Sequence, residues 1–216
     1  MSTPQKLSLS LMDTLDTGDI LLFYNKGCLS KLLRCVQQSK YSHVAMVLRD
    51  PTWIDPSLKG LYYIESDFDG NQDVNGQRWK FGVQIQSFDH AWDSASTVYV
   101  RHLHCQRNQT FLDTFKEVYS NLVGRPYDID VMDWINAAIF VRTGKYIHVS
   151  LTTGPYETSY WCSALLGCIY VHLGLLDSDT VWSLLGPTAF SSSERHTLLD
   201  WKCQIDDEQL LTPPRQ

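Results

Sequence analysis

The sequence predicts an α+β domain, with short strands gathered in the first half and patterned helices in the second. Two observations lead there. Apolar runs of four to six residues, each bounded by turn residues, recur between Ile20 and His102. Two longer segments then place apolar residues at helical spacing, one after Asn108 and one after Ser159. The 216 residues suffice for one domain with a full core, and 44% hydrophobic with 12% aromatic residues fit a folded globular chain.

Residues 1–16 read as a loose lead-in. Thr17-Gly18-Asp19 is a turn that launches the buried strand Ile20–Phe23. Ser30–Gln38 is a short helix turning Leu29, Leu32, Leu33 and Val36 inward, with Cys28 and Cys35 as packing residues. Tyr41-Ser42-His43 opens the strand Val44–Leu48, residues 51–60 form a loop, and the strand Leu61–Ile64 ends at Glu65-Ser66. Asp67–Lys80 is rich in Asp, Asn and Gly and reads as an exposed loop; its acidic spacing does not match a calcium-binding helix–loop–helix. Val83–Gln86 is a strand, Phe88–Trp92 a helical turn and Thr97–His102 another strand.

Asn108 caps an amphipathic helix with Phe111, Leu112, Phe115, Val118, Tyr119 and Leu122 on one face, stopped by the turn Gly124-Arg125-Pro126-Tyr127-Asp128. Asp130–Arg142 reads as helix and Thr143–Ser159 as the loop that follows. Ser159 is the expected cap of the next helix, which would put Cys162 third in it, Leu165, Cys168, Ile169 and Leu173 on a buried stripe, and Gly174 at its end. A helical turn near Asp179–Leu184, the breaker Gly186-Pro187-Thr188 and an edge strand within Leu198–Ile205 complete the series. No repeat or shift in composition marks a second domain. The expectation is a single domain over 1–216, its core at about 17–205, with 1–16 and 206–216 as flexible ends.

A formal charge of −6 disfavours a general nucleic-acid binder and gives no electrostatic reason to sit on anionic lipid. No apolar run approaches the roughly 18 residues that cross a bilayer, so no integral membrane segment is expected. Met1–Met12 lacks the layout of a signal peptide, and none of the six cysteines forms a CxxC pair. An intracellular, cytoplasmic or virion-packaged setting with reduced thiols is the expectation.

Chemistry concentrates on three residues. A thiol in the first turn of a helix feels the positive end of the helix dipole, which favours thiolate and makes Cys162 a candidate nucleophile. His43 starts a strand at a sheet edge, where an imidazole can face a helix N-terminus as general base. Glu65 ends the following strand, where it can orient that base. Tyr41 or Tyr160 is a candidate second oxyanion donor beside the Cys162 backbone N–H, and Trp161 and Ser163 flank the thiol as further oxyanion or substrate contacts.

Gly18-Asp19-Ile20-Leu21-Leu22-Phe23, Ser42-His43-Val44-Ala45-Met46-Val47, Tyr63-Ile64-Glu65-Ser66, Gly124-Arg125-Pro126-Tyr127-Asp128 and Trp161-Cys162-Ser163-Ala164-Leu165, in that order, resemble the circularly permuted NlpC/P60 papain-like family, the YiiX-like branch. The resemblance implies a small antiparallel sheet packed against the helix that carries a nucleophilic Cys162. It also implies a thiol hydrolase, a cysteine peptidase or amidase, acting through a Cys162–His43–Glu65 triad and a thioester acyl-enzyme. The substrate would be a peptide, an amino-acid conjugate or another acyl compound, with no cofactor and no metal. Two alternatives stay open: a lipid esterase or acyltransferase using the same triad, and a binding or structural protein that keeps the fold. The second is left open because Ala164 stands where the branch often has an acidic residue.

His102, His104 and Cys105 form a His-x-His-Cys cluster whose two histidines would share a strand face, but the spacing supplies no third and fourth ligand. His90, His148, His172 and His196 have no evident partner in sequence. Trp53, Trp79, Trp92 and Trp134 read as core or cleft walls, and the glycosylation pattern Asn108-Gln109-Thr110 is set aside without a secretory signal.

Overall fold

The computed structural model describes residues 11–25, 39–67, 72–76, 82–94, 97–127, 160–192 and 199–211. Its frame is a six-stranded antiparallel sheet built from Ile20–Tyr24 (β1), His43–Arg49 (β2), Leu61–Asp67 (β3), Gly82–Ser87 (β4), Thr97–Arg101 (β5) and Gln209–Leu211 (β8). The strands lie in the order β4-β3-β2-β1-β5-β8, and Leu103–His104 (β6) pairs separately with Gln204–Ile205 (β7). The expected β-branched and aromatic runs are where the strands fall, because side chains of alternating phase can each be buried on one face of the sheet.

Both faces are covered. Ile20, Leu22, Val44, Met46, Leu48 and Ile64 point into one core, beneath the helices Gln109–Leu122 and Cys162–His172. The alternate residues Leu21, Phe23, Ala45, Val47 and Tyr63 point into a second core with Leu15, Phe88 and Val98. Gly18, in the turn before β1, has φ +98°, and an added Cβ there would meet Leu103 Cδ2 at 2.9 Å, so the turn needs a residue without a side chain. Next to it, Asp19 is buried and gathers the chain: Oδ1 accepts from Leu103 N at 2.9 Å, and Oδ2 accepts from Asp16 N at 2.9 Å.

The Gln109–Leu122 helix follows its sequence signals. The Asn108 side chain accepts from Phe111 N at 3.0 Å, and Phe111, Phe115, Val118 and Leu122 are its buried residues. The Cys162–His172 helix departs from them in its start. Its N-cap is Trp161, with extended backbone and no side-chain cap, so Cys162 is its first residue rather than its third. What fixes that start is tertiary: Tyr160 N donates to Pro126 O at 3.0 Å, and Ser66 Oγ donates to Tyr160 O at 2.6 Å. Cys162 through Tyr170 are all buried, so the helix is apolar all round instead of striped. Gly174, at φ +69°, follows its end as expected.

Several further expectations are corrected. The sheet is not small and does not present a papain-like arrangement: it runs to six strands, in an α+β fold with antiparallel sheets. The helix bearing Cys162 packs on the Val44–Met46 face, and its first residue meets His43, which starts β2 opposite Phe23. Within the segment read as a tail, Gln209–Leu211 pairs with β5 in the register Val98–Leu211 to Val100–Gln209. Asp67, read as the start of a loop, is the last residue of β3, because β3 keeps pairing with β4 as far as Asp67–Gly82. The helices expected at 30–38 and 130–142, the loop at 143–159 and Ser159 lie outside the described residues. Among the described residues, no helix is long and apolar enough to cross a membrane.

Candidate metal centre

The site forms where β2 and β3 leave each other. The two strands pair from Arg49–Leu61 to Met46–Ile64, and their ends run on to His43 and Asp67. Glu65 and Asp67 are two apart on β3 and so share a face. Carrying the register onward puts Asp67 opposite His43 and Glu65 diagonal to it. The side chains close the gap: His43 Nε2 donates to Glu65 Oε2 at 2.8 Å. One donor atom from each of His43, Glu65 and Asp67 lies within 4.8 Å of the others.

Packing holds this group in place. His43 is 8% exposed and Glu65 only 2%. The His43 ring lies 5.3 Å from the Phe23 ring, its neighbour across β1 and β2. On the far side, Gln84 stands opposite Glu65 in the β3–β4 ladder, and its Nε2 donates to Glu65 Oε1 at 3.3 Å. Glu65 is thus gripped from both neighbouring strands, with one oxygen committed to each.

The electrostatics favour a cation. Burial alone pulls the His43 imidazole down, but the negative charge of Asp67, the charge and hydrogen bond of Cys162, and the hydrogen bond of Glu65 outweigh it and hold His43 well above its ordinary value. A proton is therefore retained on a nearly buried ring because anions surround it. A divalent ion would meet the same field, displacing that proton to reach the nitrogen.

The structure brings together His43, Glu65 and Cys162, the three residues singled out in the sequence, and adds Asp67. The thiol touches His43 at the end of the sheet, while the grouped donors are the imidazole and the two carboxylates. The other predicted neighbours are committed elsewhere. Tyr160 Oη contacts Cys168 Sγ at 3.8 Å, Trp161 Nε1 donates to Leu185 O at 3.2 Å, and the Ser163 hydroxyl donates to the same carbonyl. Tyr41 is buried with its ring against Tyr99 at 5.6 Å. The signal for Asp67 was present in Glu65-x-Asp67, the two-residue repeat that puts both carboxylates on one side of a strand.

No family model matches the chain, and no curated protein matches it. Among solved structures it is similar to the metalloprotein yiiX from Escherichia coli O157:H7, DUF1105, at 15% identity and a TM-score of 0.47, covering 74% of this chain and 66% of that one.

The expected membership of the permuted NlpC/P60 papain-like family is corrected, and with it the cysteine-hydrolase mechanism. The histidine that a thiol mechanism needs as its base is grouped with two carboxylates in a set of metal-ligand types. The same finding removes the peptidase, amidase and acyltransferase readings, which all used that base for the thiol. His102 and His104 do not make a second ligand group with Cys105: His102 Nδ1 bonds Asp19 Oδ2 at 2.8 Å, and His104 Nε2 bonds Asp206 Oδ1 at 2.8 Å.

Proposed function

We propose that the protein binds a divalent first-row metal ion through His43, Glu65 and Asp67. The observation that carries the proposal is the convergence of three donors of ligand type within 4.8 Å, on adjoining ends of two neighbouring strands. One imidazole nitrogen with two carboxylate oxygens suits zinc, iron or manganese. The nitrogen disfavours calcium and magnesium, which prefer an all-oxygen shell. Two carboxylates also match the charge of a divalent ion once His43 is neutral.

The remaining residues have supporting roles. Gln84 fixes the carboxylate plane of Glu65, as outer hydrogen bonds do for metal-ligating groups. Cys162 orients the imidazole through its hydrogen bond and is a positioning residue. Trp161 and Ser163, tied to Leu185 O, hold the thiol's end of the helix against the site. An ion held by three protein ligands keeps positions for water, whose acidity it would raise.

Titration calorimetry of the metal-stripped protein with zinc and with manganese tests the proposal. One site per chain is expected, and His43→Ala and Asp67→Asn should each weaken binding by at least about tenfold. Binding of equal strength in both variants, or none in the parent, would overturn it.

A further inference from the structure

A pair of thiols beside β6 and β7 lies outside the proposed metal centre. β6 and β7 pair Leu103 with Ile205 and His104 with Gln204; Cys105 and Cys203 are the next residues along the two segments, just past the paired ones, and Cys105 is close enough to act on the Cys203 thiol. Asp206 N donates to His102 O at 2.9 Å, which makes 102–206 a hydrogen-bonded pair. Alternation then makes 103–205 a non-hydrogen-bonded pair, and a continuation of the ladder by one step would bring the Cα atoms of Cys105 and Cys203 to about 4.5 Å, the spacing of such pairs. That separation lies inside the range of about 4.4–6.8 Å that a disulfide requires. Neither cysteine is bonded to another in this structure.

Both thiols pack against the edge of the core and also face solvent. Both cysteines are half-buried, and both line an open cavity of about 550 Å³ whose wall also includes His104, His172 and Lys202. The Cys203 thiol contacts Leu175 O at 3.9 Å.

We propose that Cys105 and Cys203 form a redox-active dithiol, a site of reversible disulfide formation by exchange with a low-molecular-weight disulfide that enters this cavity. One protein thiolate attacks a sulfur of the small disulfide and expels one small thiol, leaving a mixed disulfide on the protein. The second protein thiol then attacks the protein-side sulfur and expels the other small thiol. The protein loses two electrons and two protons, and the small disulfide departs as two thiols.

Charge sets the pace of this exchange. Burial, with the neighbouring Cys105, pushes Cys203 up to about 11, and burial raises Cys105 as well; Arg107 is the cation that opposes both shifts. Thiols of that kind attack slowly, but they are also poor leaving groups, so the bridge once closed resists reduction by the same small thiol.

Equilibration of the full-length protein with graded ratios of glutathione disulfide to glutathione, followed by alkylation and peptide mapping by mass spectrometry, tests the proposal. The expected product is a Cys105–Cys203 bridge, two hydrogens lighter than the reduced peptides and reversed by a phosphine reductant. In Cys203→Ser the mixed disulfide with glutathione should instead accumulate at Cys105. Because the bridge is read in the unmodified chain, the test stands even if the variant folds poorly. Alkylation of both residues at every ratio, stable glutathione adducts on each without a bridge, or a bridge from Cys105 to another cysteine would each overturn it.

Discussion

Glu65→Gln keeps the shape of a side chain only 2% exposed and removes its charge, so it isolates what the anion does. In the parent, Glu65 Oε2 accepts from His43 at 2.8 Å, and Oε1 accepts from Gln84 at 3.3 Å. Stranding a buried charge costs about 3–5 kcal/mol if the orphan must stay charged. His43 has an escape, because it can release its proton. The loss then falls toward the worth of one charge-assisted hydrogen bond, about 1.5–3 kcal/mol. A destabilisation of about 2 kcal/mol follows, equivalent in a chain of this size to a melting temperature lower by roughly 4–8 °C. Zinc at a hundred times its Kd should add about 2.7 kcal/mol to the parent, a rise of roughly 5–10 °C, and far less to the variant. Differential scanning calorimetry of both proteins, metal-free and zinc-loaded, reads all four numbers. A variant that melts with the parent and shows the same zinc-induced rise would refute the role given to Glu65.

Asn108→Ala removes the bond to Phe111 N and should cost about 1 kcal/mol by urea denaturation, with Asn108→Asp close to the parent. Gly82→Ala should be severe. Its Cβ would sit 2.0 Å from Arg125 O at φ +139°, and soluble yield together with the urea midpoint will show whether the backbone can yield. For His102, the hydrogen bond from its ring to Asp19 raises the imidazole above its ordinary value despite burial. The stabilisation it supplies is complete below the unfolded value of about 6.5 and is lost as pH rises through the higher folded value. Urea midpoints at about pH 6 and about pH 9 should accordingly differ more in the parent than in His102→Asn; equal differences would dissociate this pair from the pH response.

Much of the frame was legible because its elements obey local rules. Ile20–Phe23, Val44–Leu48 and Thr97–Arg101 are apolar runs cut off by turn residues, and Asn108 announces its helix through a cap that the structure contains. Elements fixed by distant contacts were not legible. The cysteine helix starts at Cys162 because Pro126 and Ser66 pin Tyr160, and nothing near Ser159 in sequence reports those partners. Asp67 looked like the first residue of a polar loop because local composition outweighed a ladder that Gly82 extends from β4. His43 and Glu65 were found from their strand-end positions. The thiol-hydrolase reading of them is corrected because the order of motifs says which segments meet, whereas it does not report Asp67, which joins them in one group of donors.

The short strand Gln209–Leu211 lies along β5 at one border of the main sheet. Leu211 is 1% exposed, so this strand is seated in the second core and not merely laid alongside. A chain cut after Asp206 would present the amides and carbonyls of β5 as an open template, beside a hydrophobic socket left by Leu211. Such a border invites pairing with another molecule. A truncated protein should thus self-associate before it unfolds.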